Sequence, residues 1–450
     1  MHRFDSAAIH APSPSSSPLR VGLLGIGTVG SGTYRVITRN RALIRARAGR
    51  DIDLCLLAAR NLPRAREIVG SKVEVVASTA QVVRHPHIDV VVEAIGGCTV
   101  AREAVLDAIA HGKHVVTANK ALLALHGDEI LEAAHRHGVM VAFEGAVAAS
   151  IPIVKALREG LAGNRIEWLA GIVNGTSNFV LSEMRDKGMS FGAALREAQR
   201  LGYAEADPAF DVQGTDAAHK LALLAAMAFG TPVRFDEVHV EGIASLQPGD
   251  HDMAQALGYR IKLLALAKRR ADALELRVHP CLVPEKSLLA GVNGSMNGIM
   301  VNSDAAGVTM YYGAGAGSEQ TASAVIADLV DVARLAHAAP AQRVAPLGFR
   351  PEAMAPLKVL PIGETLTRHA LRIPVHAEVG ALDALLQPLA AHGITVEAHC
   401  ELATADASRE LILLTNEVQE VSLRQALPAL EALGCVRAPL RHLRIEMLGG

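Results

Sequence analysis

The sequence contains little cysteine and few aromatic residues. Of its 450 residues five are cysteines, and phenylalanine, tyrosine and tryptophan together make up 3%. The cysteines are odd in number, lie far apart and form no Cys-x-x-Cys pair, which argues against both a disulfide framework and a zinc site. This cysteine usage predicts a protein of the reducing cytoplasm.

An excess of charge of one sign is also missing. Forty-four lysines and arginines stand against 46 aspartates and glutamates, and the formal net charge is −2. Neither nucleic acid nor an anionic membrane is therefore an expected partner. No apolar run reaches the roughly 18 residues that a membrane-spanning helix needs, and the first residues contain no apolar core of a signal peptide. We expect residues 1–18 to form a disordered tail.

The chain is rich enough in apolar residues to build several cores. Hydrophobic residues make up 50% of it and charged residues 20%, a balance typical of globular proteins. Because a single domain usually contains about 100 to 200 residues, we expect roughly three domains.

Residues 19–145 alternate strand-like apolar runs with helical stretches such as residues 98–112. This alternation predicts a parallel sheet covered by helices on both faces, and hence a Rossmann-type α/β domain. The predicted strands are residues 19–24, 51–60, 73–78, 88–97, 114–118 and 139–147.

Three glycines follow the first of these runs. Their Gly-x-Gly-x-x-Gly spacing comes directly after a strand and opens a helix. Glycine lets the backbone turn and approach a pyrophosphate, which the helix N-terminus stabilises. An ordinary glycine-rich turn is the alternative, but the position favours a dinucleotide site. The predicted site residues are Gly25, Ile26, Gly27, Thr28, Val29 and Gly30.

Arg60 lies at the end of the second predicted strand. An acidic residue at this position would hold the ribose 2′-hydroxyl of NAD, whereas a guanidinium favours the 2′-phosphate of NADP. We therefore predict NADP as the cofactor, with NAD still possible. The alternative is that Arg60 is an ordinary solvated arginine.

Three further regions are predicted after the first domain. Residues 146–336 contain longer helices, at 151–163, 177–188 and 215–230, and later strands at 275–283 and 307–315, which predict an α+β domain. Residues 337–364 are rich in proline and alanine and are predicted to be a linker that few contacts cross. Residues 365–450 show the order β-α-β-β-α-β of a ferredoxin-like unit.

The densest group of polar residues lies within residues 201–221. Asp216 and Lys220 are four residues apart at the start of a nearly apolar helix, so they share a face and can form an ion pair. Pairs with this spacing are often surface salt bridges, but the apolar helix predicts burial here. Glu205 and Asp211 add two more carboxylates nearby.

Other polar segments stand beside predicted elements. Lys120 follows a strand of the first sheet, where open α/β folds bind ligands, with a plain surface charge as the alternative. Asn174, Gly175 and Thr176 are either part of a site or a helix cap. The glycine loop of residues 313–317 is either a second approach to the cofactor or a close contact between helix and sheet.

Together these segments resemble bacterial homoserine dehydrogenases that carry a C-terminal ACT domain. The similarity runs from about residue 20 to residue 450, and its most specific part is LGYAEADPAFDVQGTDAAHKL. TANKALLA, GIVNGTSNF, VNGSMNGIMV and TASAVIADL support it. The resemblance implies an NAD(P)-dependent oxidoreductase that interconverts L-homoserine and L-aspartate 4-semialdehyde, a step of threonine, methionine and isoleucine biosynthesis.

The resemblance also implies that residues 146–336 form the catalytic and dimerisation domain, and it implies roles for single residues. Lys220 matches the family's acid and base, Lys120 a lysine near the nicotinamide and the substrate, and Asp216 the carboxylate beside the reacting hydroxyl. We also expect Gly96, Lys120 and Gly317 to contact the cofactor. The expected substrate-binding residues are Glu205, Asp211, Asn174, Gly175, Thr176 and Lys220.

A monovalent cation, sodium or potassium, is a further implication. Family members bind it through backbone carbonyls, which suit a hard ion. Ala149 and Ser150 stand where the family usually has two glycines, so a positive φ in this loop would strain the backbone. The matching residues are Glu144, Val147, Ala149 and Ile151.

The ACT domain implies threonine as an effector and, because such modules pair across chains, a homodimer or homotetramer. Its usual Asp-x-x-Gly turn reads His376-Ala-Glu-Val-Gly380 here, without the acid. Two alternatives remain open: another NADP-linked dehydrogenase on the same scaffold, and a non-catalytic, amino-acid-sensing regulator that binds NADP. The joint presence of Lys120, Asp216 and Lys220 argues against the regulator.

Overall fold

The first unit of the structure is built on a six-stranded parallel sheet. The structure, a computed structural model, describes residues 17–376, 380–403 and 409–448, so most of the predicted tail lies outside it. The strand order is β3-β2-β1-β4-β5-β6, the doubly wound order of a Rossmann fold. The strands are β1 (Leu19–Leu24), β2 (Ile52–Ala58), β3 (Glu74–Val76), β4 (Val90–Glu93), β5 (His114–Thr117) and β6 (Val141–Ala142). The predicted fold of this region is confirmed.

Six helices connect these strands. The strand predicted over residues 139–147 stops at Ala142, because the chain leaves the edge of the sheet and forms a 3₁₀ turn over Glu144–Ala146. The helices are α1 (Thr28–Arg39), α2 (Arg41–Ala48), α3 (Leu62–Val69), α4 (Thr79–Val83), α5 (Thr99–Ala110) and α6 (Lys120–His137).

The second unit mixes helices with a sheet of its own. Its helices are α7 (Ile153–Lys155), α8 (Gly175–Lys187), α9 (Phe191–Arg200), α10 (Ala209–Val212), α11 (Thr215–Phe229), α12 (Pro248–Ala256) and α13 (Ser318–Leu335). Its strands are β7 (Ile166–Ile172), β8 (His239–Val240), β9 (Tyr259–Arg270), β10 (Ala273–Pro284), β11 (Met296–Ser303), β12 (Gly307–Ala314) and β13 (Lys358–Val359). The helix predicted over residues 151–163 is interrupted, since α7 passes into a π turn at Ala156–Gly160.

Helix α13 returns from the second unit to the first. Ala322, Val325 and Leu329 on this helix are buried in one core with Val21 of β1 and Val36 of α1. The face of the first sheet that carries α1 is therefore completed by a helix far along the chain. This packing brings the start of α13 next to the start of α1.

The third unit has the predicted ferredoxin-like order, with one added short strand. Its elements are β14 (Leu366–Val375), α14 (Ala381–Ala391), β15 (Val396–Ala403), β16 (Arg409–Thr415), β17 (Val418–Gln419), α15 (Glu420–Glu431) and β18 (Arg441–Ile445). The four long strands are arranged β18-β14-β16-β15. Of the turn between His376 and Gly380, residues 377–379 lie outside the described residues.

The second and third units share one continuous sheet. Its order is β12-β11-β7-β9-β10-β18-β14-β16-β15. Strands β10 and β18 are parallel, with Cys281 opposite Arg444 and Leu282 opposite Ile445. Among the described residues no helix is both long and apolar enough to cross a membrane.

The segment predicted as a linker packs against the second unit. Strand β13, which lies within residues 337–364, pairs with β10, and the Ala355 N–H donates to the Gly230 carbonyl at 3.0 Å. The expectation that few contacts cross here is wrong. A proline-rich composition indicates that a segment has no helical or strand period, but such a segment can still pack against its neighbours. The domain bounds themselves stay a prediction.

Buried ions fill the junction between β10 and β18. The Arg277 guanidinium lies 2.9 Å from a Glu446 carboxylate oxygen and 2.6 Å from one of Glu275. The Lys268 Nζ contacts the other oxygen of Glu446 at 2.5 Å. We call these four residues the seam cluster; Arg277, Glu275 and Glu446 are each only 1% exposed.

Candidate active site

The loop after β1 requires glycine at two positions and leaves open space at a third. Gly25 has φ +95°, and a Cβ there would lie 2.7 Å from the Ala94 carbonyl oxygen. A Cβ on Gly30 would lie 2.1 Å from the Gly25 carbonyl oxygen, whereas one on Gly27 would meet nothing within 4 Å. The space in front of the α1 N-terminus is therefore free for a ligand that accepts hydrogen bonds.

Two more glycine loops surround this space. Gly96 follows β4, the neighbour of β1, and has φ +73°. Gly317 precedes α13 with φ +142°, and the adjacent Ser318 hydroxyl donates to the Thr28 carbonyl at 2.6 Å. Because sheet order reverses between β1 and β4, this edge is the crevice where doubly wound folds bind ligands.

Arg60 lies at the same edge, just beyond β2. Its side chain is exposed and makes no hydrogen bond or ion pair to the part of the chain that the structure describes. The guanidinium is therefore free to meet a ligand bound along the edge of the sheet.

Lys120, Asp216 and Lys220 come together as predicted, and we call them the lysine–aspartate cluster. The Lys220 Nζ donates to Asp216 Oδ2 at 2.7 Å, and the Lys120 Nζ lies 3.1 Å from Asp216 Oδ1. Lys120 begins α6 directly after β5, while the other two residues lie in the first turns of α11. One carboxylate thus serves two ammonium groups.

Asn174 organises the carboxylates of this site. Its side-chain amide donates to Asp211 Oδ1 and to Asp216 Oδ2, both at 2.8 Å, while its oxygen caps α8 by accepting from the Ser177 N–H at 2.7 Å. The helix-cap interpretation of Asn174 is therefore confirmed, and the same side chain also contacts two carboxylates. The carbonyl of the preceding residue, Val173, accepts from the Lys220 Nζ at 2.6 Å.

Burial acts on both partners of the ion pair. Asp216 is 4% and Lys220 is 7% exposed, so the predicted burial of the pair is confirmed. Burial lowers the pKa of Lys220, and the Asp216 carboxylate offsets that effect only in part. For Asp216, burial is outweighed by the two lysines, which hold the pKa of the carboxyl below its usual range. Lys220 is therefore a buried ammonium that releases its proton more readily than a solvated lysine.

The other residues predicted to bind substrate have different positions. Burial raises the pKa of Asp211, which lies in the site. Gly175 is the first residue of α8, and the Thr176 hydroxyl donates to the Tyr203 carbonyl at 2.7 Å. The Glu205 side chain is exposed and contacts none of the cluster residues, so the structure does not bring it to the lysines.

The segment predicted to bind a cation is buried and strained. Ala149 has φ +35° and its neighbour Ala148 has φ +53°, so the expected conflict between positive φ and a Cβ is present at Ala149, whereas Ser150 has no positive φ. Both oxygens of the Glu144 carboxylate accept backbone N–H groups, from Val154 at 3.0 Å and from Lys155 at 2.9 Å. Val147 and Ile151 are also buried.

Two aromatic side chains beside the cluster, Phe210 and His219, were not predicted from the sequence. The Lys120 Nζ lies 5.9 Å from the centre of the Phe210 ring, and the His219 ring packs edge-on against Phe235. Burial lowers the pKa of His219 to about 4. His219 lies three residues from Asp216, which was the available signal, whereas the Val173 carbonyl has no side chain that sequence could reveal.

Hydride transfer requires a nicotinamide dinucleotide next to a group that exchanges a proton. The loop after β1 and the lysine–aspartate cluster meet these two requirements at the same edge of the first sheet. The fold and the site therefore define the class of nicotinamide-dependent oxidoreductases.

Comparison with known proteins narrows this class. Residues 25–144 match the family "Homoserine dehydrogenase, NAD binding domain" and residues 152–330 match "Homoserine dehydrogenase". A homoserine dehydrogenase of Pseudomonas aeruginosa is 51% identical over 96% of this chain and 99% of its own length. A homoserine dehydrogenase of Neisseria gonorrhoeae is 47% identical over 96% of this chain and 99% of its own length. This chain belongs to the homoserine dehydrogenase family.

Solved structures agree with this assignment. The crystal structure of a homoserine dehydrogenase from Thiobacillus denitrificans superposes with a TM-score of 0.92 at 52% identity, over 96% of this chain and 99% of that one. A hyperthermophilic archaeal homoserine dehydrogenase in complex with NADPH shares the fold, with a TM-score of 0.61 at 24% identity. The predicted NAD(P)-dependent homoserine dehydrogenase is confirmed, and so is a nicotinamide dinucleotide as the cofactor.

Proposed function

We propose that this chain reduces L-aspartate 4-semialdehyde to L-homoserine with Lys220 as the proton donor, and that Lys220 accepts the proton in the reverse reaction. The observation that carries the proposal is the buried Lys220 Nζ, fixed between Asp216 Oδ2 and the Val173 carbonyl. A lysine held in this way directs its third N–H toward a reacting oxygen instead of sampling many rotamers.

The residues around the α1 N-terminus fit a dinucleotide. Open space at Gly27 and enforced glycines at Gly25 and Gly30 suit a pyrophosphate at the start of a helix. The nicotinamide cofactor supplies the hydride when it is bound. The remaining proposed contacts are Ile26, Thr28, Val29, Gly96, Lys120 and Gly317.

The cluster residues divide the proton chemistry among them. The Lys220 ammonium gives its proton to the carbonyl oxygen as negative charge develops there, and it neutralises that charge. Asp216 orients Lys220 and keeps it protonated in a buried site. Lys120 adds a second positive charge beside the developing oxyanion.

Substrate recognition falls to the residues around Asn174. Asp211 is available to the substrate ammonium group through its second oxygen, and the turn of Asn174, Gly175 and Thr176 forms the adjoining wall. The exposed Glu205 side chain has no ion-pair partner among the described residues, so it is free to hold the same ammonium group.

NADP is the proposed preferred form of the cofactor, because Arg60 is exposed and unengaged at the end of β2. We propose a sodium or potassium ion at the segment from Glu144 to Ile151. In the hydrogen bonding of the described residues, the Val147 and Ala149 carbonyls accept no backbone donor. They are free to hold a hard cation.

Threonine is the proposed effector, acting through the ferredoxin-like third unit. A homodimer or homotetramer is proposed because β12 is a sheet edge with exposed Val308 and Tyr312. The five cysteines carry free thiols, which supports a cytoplasmic location.

One assay tests most of these proposals. NADPH and NADH oxidation by the full chain is followed with L-aspartate 4-semialdehyde, with and without L-threonine. We expect faster turnover at low NADPH than at low NADH, and a lower rate when threonine is present. Equal kcat/KM for both coenzymes would contradict the role of Arg60, and an unchanged rate with threonine would contradict the effector.

A further inference from the structure

Glu93 is a fully buried carboxylate at the edge of the first sheet that carries the cofactor loops. It ends β4 and is 0% exposed. Its Oε1 accepts the backbone N–H groups of Ile95 and Gly96, both at 2.9 Å, and its Oε2 accepts the Thr117 hydroxyl at 2.6 Å. No lysine or arginine of the described residues pairs with it, so hydrogen bonds alone compensate its burial.

The same hydrogen-bond network continues to the catalytic lysine. The Thr117 hydroxyl oxygen also accepts the Asn119 N–H at 3.0 Å. The Asn119 amide donates to the Gly97 carbonyl at 2.7 Å, and its oxygen caps α6 by accepting from Leu122 N–H at 3.1 Å. Lys120 is the first residue of that helix. Direct hydrogen bonds therefore connect the cofactor loop to Asn119, the residue that precedes Lys120 in the chain.

We propose that Glu93 is a positioning residue that fixes the loop of residues 94–97 relative to Lys120. The Oε1 atom of Glu93 fixes the direction of the Ile95 and Gly96 N–H groups in the cofactor loop. The Oε2 atom fixes the orientation of the Thr117 hydroxyl, which in turn holds the start of α6. This inference rests on the roles proposed above for Gly96 and Lys120. It adds a group that touches neither substrate nor cofactor.

The loop depends on such an anchor because its glycines are conformationally free. Gly96 and Gly97 have φ +73° and +72°, and a Cβ on either would meet nothing within 4 Å. No side-chain packing therefore restrains these two residues. Ala94, at the start of the loop, is held by its N–H bond to the Leu24 carbonyl at 2.9 Å, whereas the hydrogen bonds that hold Ile95, Gly96 and Gly97 among the described residues are those to Glu93 and the one from Asn119.

Three variants test the proposal in the full-length enzyme. Glu93→Ala removes all three bonds, and we expect the Kd for NADPH to rise and kcat to fall, each by about tenfold, the scale of losing a hydrogen bond to a charged group. Glu93→Gln keeps an oxygen for the two N–H groups and gives Thr117 a donor, so both quantities should stay within about threefold of wild type.

Thr117→Val separates the bonds from Glu93 to the cofactor loop from the connection between Glu93 and Asn119. It leaves the bonds from Ile95 and Gly96 to Glu93 intact and breaks the connection to Asn119. We expect kcat to fall by about threefold to tenfold, while the Kd for NADPH stays within about threefold. A general packing defect would not separate the two quantities. This variant also tests the proposal if Glu93→Ala does not fold.

Glu420 provides the matched control, since it is 0% exposed and bound to Arg444 in the third unit. Glu420→Ala should lower Tm without changing the Kd for NADPH. The proposal is overturned if folded Glu93→Ala binds NADPH and turns over like wild type, if Glu93→Gln is as impaired as Glu93→Ala, or if Thr117→Val changes the Kd and kcat equally. Wild-type kcat in Lys120→Ala would instead overturn the proposed role of Lys120, while NADPH affinity still tests Glu93.

Discussion

The lysine–aspartate cluster and the seam cluster are both buried groups of ions, but their charges are balanced differently. In the first, two lysines share one aspartate, and burial lowers the pKa of Lys220. In the second, burial of Arg277 is more than offset by Glu446 and Glu275, so its pKa rises. Burial of Glu446 is likewise offset by Arg277 and Lys268, which lower its pKa to about 2.

Burial therefore serves proton chemistry in the lysine–aspartate cluster and structural stability in the seam cluster. A buried lysine with a shared counter-ion releases its proton more readily than a solvated lysine, whereas an arginine between two carboxylates keeps its proton. The seam cluster therefore fixes the position of β18 on β10 and takes no part in proton transfer.

The largest expected effect comes from breaking the seam cluster. Glu446→Ala leaves Arg277 buried without one of its two carboxylates, which should lower the free energy of unfolding by about 3–5 kcal/mol. Urea unfolding measures this loss. The control is Glu129→Ala, because Glu129 pairs with Arg102 at the surface and its loss should cost less than about 1 kcal/mol. Equal losses for both variants would show that the seam cluster does not stabilise the junction.

Lys220→Ala should act on the rate instead of on stability. We expect the rate of aldehyde reduction to fall at least about 10²-fold, the scale of general acid catalysis, while NADPH still binds. Lys187→Ala is the control, since Lys187 has the same i,i+4 spacing to Glu183 but is exposed; its rate should be unchanged. Near-normal turnover in Lys220→Ala would assign the acid to another group.

Asp216→Asn should shift the pH profile. The Asp216 carboxylate raises the pKa of Lys220 against the effect of burial, so its removal lowers that pKa further. Aldehyde reduction needs protonated Lys220 and is lost as pH rises through its pKa. The descending limb of kcat/KM against pH should therefore move to lower pH in the variant. A limb that stays in place would show that another group titrates.

Arg60→Ala should change the choice of coenzyme. Loss of one charge-assisted contact to the 2′-phosphate should raise the KM for NADPH by about tenfold and leave the KM for NADH nearly unchanged. Arg66→Ala, which removes an exposed arginine from the last turn of α3, is the control and should alter neither. Equal changes for the two coenzymes would show that Arg60 does not contact the phosphate.

The smallest effect is expected at the strained alanines. Ala149→Gly relieves a left-handed backbone that costs about 1–2 kcal/mol with a Cβ, and glycine's extra entropy in the unfolded chain offsets about 0.5–1 kcal/mol of that gain. We expect Tm to rise by a few degrees at most. Ala146→Gly, in the neighbouring 3₁₀ turn, should lower it. A lower Tm in both variants would mean that φ at Ala149 carries no strain.

The first unit could be predicted from the sequence because its pattern is local. Strands β1 and β5 match their predictions within one residue, since each is a short apolar run bounded by glycine or polar residues. Strand β9, which was not predicted, is buried on both faces along Leu263–Ala267, and a continuous apolar run of this kind does not distinguish strand from helix.

The site was predictable wherever a few neighbouring residues carry its chemistry. Asp216 and Lys220 are four residues apart, so their pairing could be predicted from helix geometry alone. The bond from Asn174 to Asp216 spans 42 residues, and only the fold brings these side chains together. Glu93 was assigned no role, because its partners are backbone N–H groups and a threonine hydroxyl, which leave no distinctive pattern in the sequence.

The pairing of β10 with β18 has a consequence for how the chain matures during synthesis. Cys281 and Leu282 gain their partners on β18 only after roughly 160 more residues have been made. At about 5–20 residues per second, translation of that length takes on the order of ten seconds. During this interval the part of that edge at Cys281 and Leu282 is open to pairing with another chain, whereas Arg277 and Val278 already pair with β8. The last strand therefore protects the nascent protein from aggregation, and premature termination should lower its yield even where the catalytic residues are complete.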